Sequence, residues 1–251
     1  MSKYKIGITE AGDASIDYSW VNKINDIDGA ILITKNITIK FIEEIMKVKD
    51  KVILHASCTG YGGSILEPNL PIYQKQLERV KELLDLGFDK EKIIIRIDPI
   101  IPTDKGVKLM SDVVKYAKED LQLPINRFRV SVIDMYPHVQ QRFKEKKLPI
   151  PFNGNFQASE EEFQFLNNTI RELSQKYNIT FESCAEKYLY AAKPMGCVSE
   201  YDINLLGLEL DEEGFKNQRP TCLCCSAKVE LLEHKCKNYG CEYKCLYCYW
   251  R

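Results

Sequence analysis

Near the end of the chain, within Gly240–Arg251, three cysteines stand at Cys-x3-Cys-x2-Cys spacing: Cys241, Cys245 and Cys248. Three thiolates on one short loop can wrap a single four-iron cluster, because thiolate is the donor such clusters take. Four irons and three cysteines leave one iron without a protein ligand. That open corner can bind a substrate or cofactor. An iron–sulfur electron carrier predicts a fourth cysteine in the motif, since an open iron is of no use to it.

A second metal reading competes for the same tail. Cys222-x2-Cys225, nineteen further residues, and Cys245-x2-Cys248 match the spacing of a structural zinc ribbon. That assignment leaves Cys224, Cys236 and Cys241 without roles and crowds a tight knuckle with Tyr247, Tyr249 and Trp250. The cluster reading uses Cys241, Cys245 and Cys248 together and is preferred. It leaves Cys184, Cys197, Cys222, Cys224, Cys225 and Cys236 for a second site, open between an auxiliary iron–sulfur cluster, a zinc and buried reduced thiols. Cys58 is read as core or loop.

The elements that must position these groups follow from apolar periodicity. Six β-rich runs alternate with amphipathic patterns over the first 186 residues, which predicts a parallel sheet with crossover helices. The strands are expected at 4–9, 29–34, 51–56, 92–97, 128–133 and 179–182. Helical stripes fall at Phe41, Ile42, Ile45 and Val48; at Leu77, Val80 and Leu84; at Val107, Met110, Val114 and Ala117; and at Phe163, Leu166, Ile170 and Leu173. The last opens on a Ser159/Glu162 capping box, and a shorter helix is expected after Asp17. These stripes are core packing.

Each apolar run ends in polar residues, and parallel barrels place their chemistry at the carboxyl ends of strands. Lys35, His55, Asp98, Asp134, Tyr136 and Glu186 are therefore candidates to orient a substrate or move protons, although a histidine such as His55, taken alone, is more often a satisfied core or rim residue. Gly60-Tyr61-Gly62-Gly63 can bring backbone close to a ligand, and Asp98-Pro99-Ile100-Ile101-Pro102 is a stiff turn that can fix Arg96 and Asp98. The basic run Arg142–Lys147 reads as a solvated face, 149–158 as a surface loop, and 196–220 as an irregular extension. The domain reading is a β/α unit over 1–195 with a cysteine-rich extension over 196–251 packed on it.

Composition narrows the class. The 251 residues suit one α/β domain, and a net charge of −1 gives no general pull toward nucleic acid or anionic membrane. The chain has neither a signal-peptide core nor an apolar run of the roughly 18 residues that span a bilayer. A cytoplasmic location without a membrane partner is expected, where ten cysteines serve metal chemistry rather than disulfides.

The three-cysteine loop, with aromatic Tyr247 just before its third cysteine, resembles that of the radical S-adenosylmethionine (SAM) superfamily. Almost the whole chain resembles a family of radical SAM proteins labelled DNA-repair-photolyase-like, through Gly7–Asp13, Ile33–Asn36, Cys58–Gly63, Leu66–Asn69, Arg96–Ile100, Cys184–Glu186 and Gln218–Cys224. The resemblance implies a [4Fe-4S] cluster whose open iron chelates SAM. It also implies a 5′-deoxyadenosyl radical that takes hydrogen from an organic substrate, and an electron donor such as flavodoxin or ferredoxin. The label hints at a nucleotide or nucleic-acid lesion as substrate, which the near-neutral charge does not support.

The fold implied is a partial (β/α)6 TIM-like barrel. In the superfamily the cluster loop follows the first strand; here only Tyr249, Trp250 and Arg251 follow it, so a circular permutation is expected. The next strand in the superfamily's order then becomes 4–9. The grip on the SAM amino group falls on Thr9, Glu10, Ala11 and Gly12, with Glu10 as the contact, and Arg96 becomes the partner of the SAM carboxylate. Ordinary ion pairs at the barrel mouth are the alternative for Glu10 and Arg96. Tyr61 or Tyr136 is a candidate hydrogen donor to a product radical.

Overall fold

The computed structural model describes residues 4–209, 223–224, 228–233 and 240–250. Eight strands among them form one parallel sheet: β1 (Ile6–Ile8), β2 (Gly29–Thr34), β3 (Val52–Ser57), β4 (Ile93–Ile100), β5 (Arg127–Val132), β6 (Thr180–Ser183), β7 (Lys193–Pro194) and β8 (Lys228–Glu230). Their order is β7-β6-β5-β4-β3-β2-β1-β8. Successive strands are spatial neighbours from β1 to β7, and β8 lies beside β1 in parallel register, Ile6 opposite Lys228 and Ile8 opposite Glu230. Among the described residues the sheet does not close, and β7 and β8 are its edges.

All six expected strands are present, within a few residues at their ends. β2 to β4 open on near-continuous apolar runs because both faces are covered there, whereas β5 alternates, with Arg127, Arg129 and Ser131 between Phe128, Val130 and Val132. On one face, Ala30, Leu32, Val52, Leu54, Ile93 and Ile95 pack into one core with the crossover helices α1 (Ser19–Lys23), α2 (Ile39–Met46), α3 (Tyr73–Asp85), α4 (Asp104–Lys115), α5 (Pro137–Glu145) and α6 (Glu160–Tyr177). On the other, Ile6, Ile8, Ile31, Ile53 and Ile94 form a smaller core with Val198, Cys224 and Ile203 of α7 (Glu200–Leu205). On β3 and β4 the second face is thus apolar where the strands begin and becomes polar toward their carboxyl ends, at His55, Ser57, Arg96 and Asp98, and on β5 it is polar from the start, at Arg127 and Arg129.

Caps fix where several helices start. Thr38 accepts from Phe41 N at 3.1 Å and Thr103 from Gly106 N at 3.2 Å, each satisfying an amide that lacks a partner in the first turn. The Ser159/Glu162 capping box of α6 is present.

The structure corrects the reading of the region beyond 186. It holds α7, β7 and β8, so it is not uniformly irregular. The basic run is corrected too: it ends a helix, α5, that Pro137 opens. Lys144, Lys146 and Lys147 are exposed as expected, but Arg142 is half-buried. No helix among the described residues is long and apolar enough to cross a membrane.

Candidate active site

The cysteine loop is two consecutive tight turns, Lys244 N donating to Cys241 O at 3.2 Å and Cys248 N to Cys245 O at 3.3 Å. Each turn begins at a cysteine, so the chain doubles back twice and gathers the three thiols. Lys244 makes the first turn in the left-handed region, φ 53°, which costs a residue with a Cβ about 1–2 kcal/mol. The three thiols are close enough that the charge of each bears on the others. Burial pushes the Cys245 thiol up to about 12, with Lys35 pulling against it and Cys248 and Cys241 adding to the rise.

Contacts from distant parts of the chain hold this loop. Leu246 N donates to Leu66 O at 2.9 Å, Asn69 Nδ2 to Glu242 O at 2.6 Å, and Arg142 donates from Nε to Leu246 O at 2.9 Å and from Nη2 to Cys248 O. The Tyr243 hydroxyl lies 2.8 Å from Ser15 Oγ. Ser15 is tied to Asp13, whose buried carboxylate also accepts from Thr34 Oγ1 at 2.7 Å and Lys35 N at 2.7 Å. Asp13 thus joins the β1–α1 loop, the end of β2 and the cysteine loop.

Arg142→Ala is therefore expected to loosen the loop without unfolding the sheet. Hydrogen bonds from a charged donor are worth about 1.5–3 kcal/mol each, and a loss of this size speeds local opening tenfold or more. Limited trypsin digestion at exposed Lys244 measures it; an unchanged cleavage rate would show that Arg142 does not hold the loop.

Behind the thiols lies a buried triad. Lys35 Nζ donates to Glu67 Oε1 at 3.1 Å and to the Tyr247 hydroxyl at 2.8 Å, and that hydroxyl donates to Glu67. Burial would lower the Lys35 pKa, but Glu67, Cys245 and Asp98 outweigh it and raise it to about 12. Lys35 is a fixed cation beside the cysteines. The glycine loop serves this triad: a Cβ on Gly62 would lie 1.8 Å from Pro71 O, and Gly62 bridges to Glu67. Its close approach is to its own chain. The Tyr61 hydroxyl accepts from Ile101 N at 2.9 Å, and its ring meets that of Tyr247 edge-on.

The other expected residues gather around the same strand ends. Asp98 pairs with Arg96 and accepts from Ser131 Oγ; burial works to raise its pKa, and Arg96, Ser131 and Lys35 together hold it below the usual carboxylate range. Burial pushes Glu186 up to about 7, opposed by Val132 N and helped by the charges of Asp134 and Asp98. The Tyr136 ring packs against His138, Phe156 and Tyr249 of the tail. Thr9 is locked between strands by a bond from Ile33 N at 2.7 Å. Glu10 receives Lys228 Nζ at 2.8 Å, and the amides of Glu10 and Ala11 donate to Glu230 at 3.1 and 2.8 Å. Half-buried Gly12 follows them.

His55 sits deeper, fully buried on the polar stretch of the second face, and among the described residues neither ring nitrogen has a hydrogen-bond partner. Burial and the charges of Arg129 and Arg96 hold its pKa well below the usual range, so the ring is neutral. Near it is a second thiol group. Hydrogen bonds from Cys184 and Cys224 hold the Cys197 thiol well below the usual range, with Arg96 and Arg129 adding to the effect. Cys222, Cys225 and Cys236 lie outside the described residues.

Among the described residues no three His, Cys, Asp or Glu side chains are disposed to hold one metal ion as they stand. A single tetrahedral zinc needs its sulfurs about 4 Å apart, whereas a four-iron cluster takes each thiolate on a different iron. The donor set at Cys241, Cys245 and Cys248 fits the cluster by chemistry and number. A cavity of about 10 Å³ beside Lys35 and Glu67 has room for about one water. A larger one, about 380 Å³, lies at Leu84, Phe88 and Leu121 where the strands begin, away from these groups.

Glu67, Asp13, Arg142 and Lys228 are the participants that reading the residues did not single out. Each acts through a partner far off in sequence, and the one signal for Glu67 and Asp13 is their place in the stretches that carry the family resemblance.

No curated protein matches the chain. Among solved structures, one of two fungal β-1,4-galactanases aligns at 8% identity over 73% of this chain and 74% of its own, with a TM-score of 0.31. GH26C from a Muricauda species aligns at 10% identity over 73% and 69%, with a TM-score of 0.30. These likenesses are too remote to carry an argument. A family described as a domain of unknown function, DUF1848, matches residues 15–250, and to that family the chain belongs.

Proposed function

We propose that this chain is a radical SAM enzyme in which Cys241, Cys245 and Cys248 hold a [4Fe-4S] cluster at the mouth of a circularly permuted partial (β/α)6 barrel. When bound, cluster and SAM together supply reductive cleavage to a 5′-deoxyadenosyl radical that takes hydrogen from an organic substrate. The observation that carries the reading is topological. β8 is parallel to β1 and beside it, and the cysteine loop follows β8 in the chain. Read from β8, the order is strand, cluster loop, next strand, as the family resemblance implies.

In this reading the chain's own residues have separate tasks. Arg142, Leu66 and Asn69 hold the loop backbone so that the thiols stay together. Lys35, fixed by Glu67 and Tyr247, sets a positive charge against the thiolates. Glu10 and Arg96 bind the ammonium and carboxylate of SAM by exchanging their present partners, Lys228 and Asp98, for charge-assisted contacts of the same kind. Glu186, with a pKa of about 7, takes or gives a proton near neutral pH at the rim formed with Asp98 and Asp134. The electron comes from a flavodoxin- or ferredoxin-type donor.

The test is anaerobic. After reconstitution with iron and sulfide, reduction with dithionite and addition of SAM, the wild type is expected to yield 5′-deoxyadenosine and Cys245→Ala at least about 100-fold less. Tightly held zinc with no acid-labile sulfide and no product from either protein would reject the reading.

A further inference from the structure

We propose a second, thiolate-bound metal centre on Cys184, Cys197 and Cys224, with Arg96, Arg129 and His55 as its hydrogen-bonding surround. Its ligand class is a soft metal that takes thiolate, zinc or an iron–sulfur unit, rather than a hard cation such as magnesium.

The three thiols come from separate stretches and meet by construction. Cys184 follows β6, Cys197 follows β7, and Cys224 belongs to the smaller core beneath. Cys197 hydrogen-bonds with both other thiols, and Val198 N donates to the Cys224 sulfur. Gly196 permits the meeting: a Cβ there would lie 2.3 Å from Leu223 O and 2.5 Å from Cys224 N. Backbones come this close only where a side chain is absent. As thiols the three satisfy one another; as thiolates they need a cation between them, and closing on it takes further approach from these positions.

An independent observation points to the same place. The buried side-chain nitrogens without a hydrogen-bond partner among the described residues are His55 Nδ1 and Nε2, Arg96 Nε and Arg129 Nε. His55 and Arg129 are 0% and 2% exposed. The two guanidinium N–H groups and the single N–H of the neutral His55 ring are orphaned donors, which cost about 1–3 kcal/mol each, so a chain that keeps several in one place has an acceptor for them. All three side chains face the charge of Cys197. Lys228, also buried, faces both Cys197 and Cys224. Metal-bound thiolates and sulfides accept N–H bonds, and their negative charge is what Arg96, Arg129 and Lys228 together balance.

The experiment removes the other cysteine site first. The full chain carrying Cys241→Ala, Cys245→Ala and Cys248→Ala together is purified anaerobically and assayed for zinc, iron and acid-labile sulfide. It is expected to retain about one centre per chain, and adding Cys197→Ala is expected to lower that at least tenfold. Zinc without sulfide identifies a single ion, and iron with matching sulfide a cluster; either supports the proposal. No metal in the triple variant, or metal unchanged by Cys197→Ala, overturns it. Should Cys197→Ala fail to fold, cobalt(II) is titrated into the triple variant with and without Cys184→Ser: near-ultraviolet sulfur-to-cobalt absorption that Cys184→Ser weakens is expected, and its absence, or a band that Cys184→Ser leaves unchanged, overturns the proposal. Because the loop thiols are gone from every sample, failure of the SAM reading leaves this result unchanged.

Discussion

Glu182→Leu is expected to remove about 3–5 kcal/mol of folding stability, the usual cost of breaking a buried ion network by deleting one partner. Glu182 accepts from Arg127 Nε at 2.7 Å, from Arg127 Nη2 at 3.2 Å and from Arg129 Nη2 at 2.7 Å. Arg127 Nη1 reaches on to Asp202 at 2.8 Å. None of the four side chains is more than 9% exposed. Leucine in place of Glu182 leaves two guanidiniums buried with one carboxylate between them, and water cannot reach them to compensate. Domains of this kind hold only about 5–15 kcal/mol in total.

The same carboxylates tie β5, β6 and α7 together. Asp202 also closes the capping box of α7, accepting from Ser199 N at 3.0 Å and Ser199 Oγ at 2.7 Å. Glu182→Gln, which keeps the shape and one acceptor oxygen, is expected to fall between leucine and wild type. Urea unfolding measures both. A loss below about 1 kcal/mol for Glu182→Leu would mean that the arginines find other partners and that the network does not hold α7 to the sheet.

That network also explains which parts of the fold can be read from sequence. β2 to β4 open on apolar runs covered on both faces, which nothing else resembles, and β5 alternates Phe128, Val130 and Val132 with Arg127, Arg129 and Ser131. β8, Lys228–Glu230, has one apolar residue, Val229, and that residue is exposed. Its partners are Glu10 and the amides of Glu10 and Ala11, more than 200 positions away. β7 is a lysine and a proline at an edge. Helix α7 buries Asp202 as well as Ile203, so its inward face does not look apolar. α5 buries only Val139 and Phe143, too few to mark a stripe. In β8 and α7 what escapes notice is a polar group paired inside the protein, whose partner offsets the cost of burying it; in β7 and α5 it is the shortage of buried apolar residues.

The site follows the same division. Cysteine spacing is local and legible, and so is the polar ending of each strand, which the parallel sheet gathers along one edge. The Lys35–Glu67–Tyr247 triad is not legible, since its members are drawn from the end of β2, the glycine loop and the cysteine loop. Arg142 looks like one more residue of a basic run until its guanidinium meets the carbonyls of Leu246 and Cys248.

The triad supplies the second large effect. Glu67→Leu strands the Lys35 ammonium, whose side chain is only 22% exposed, beside a tyrosine hydroxyl that has lost its acceptor. A loss of about 3 kcal/mol is expected. Lys35→Met leaves the Glu67 carboxylate, 4% exposed, with the Tyr247 hydroxyl alone, and is expected to cost a similar amount. The double variant removes both charges at once and has no unpaired ion to bury, so it is expected to be less destabilised than the sum of the singles by about 1–3 kcal/mol. Urea denaturation of the four proteins closes the cycle. Single effects that simply add, within about 0.5 kcal/mol, would mean that Lys35 and Glu67 act independently; the loop carrying Cys245 would then be positioned by its backbone contacts to Leu66, Asn69 and Arg142 rather than by the charge pair behind it.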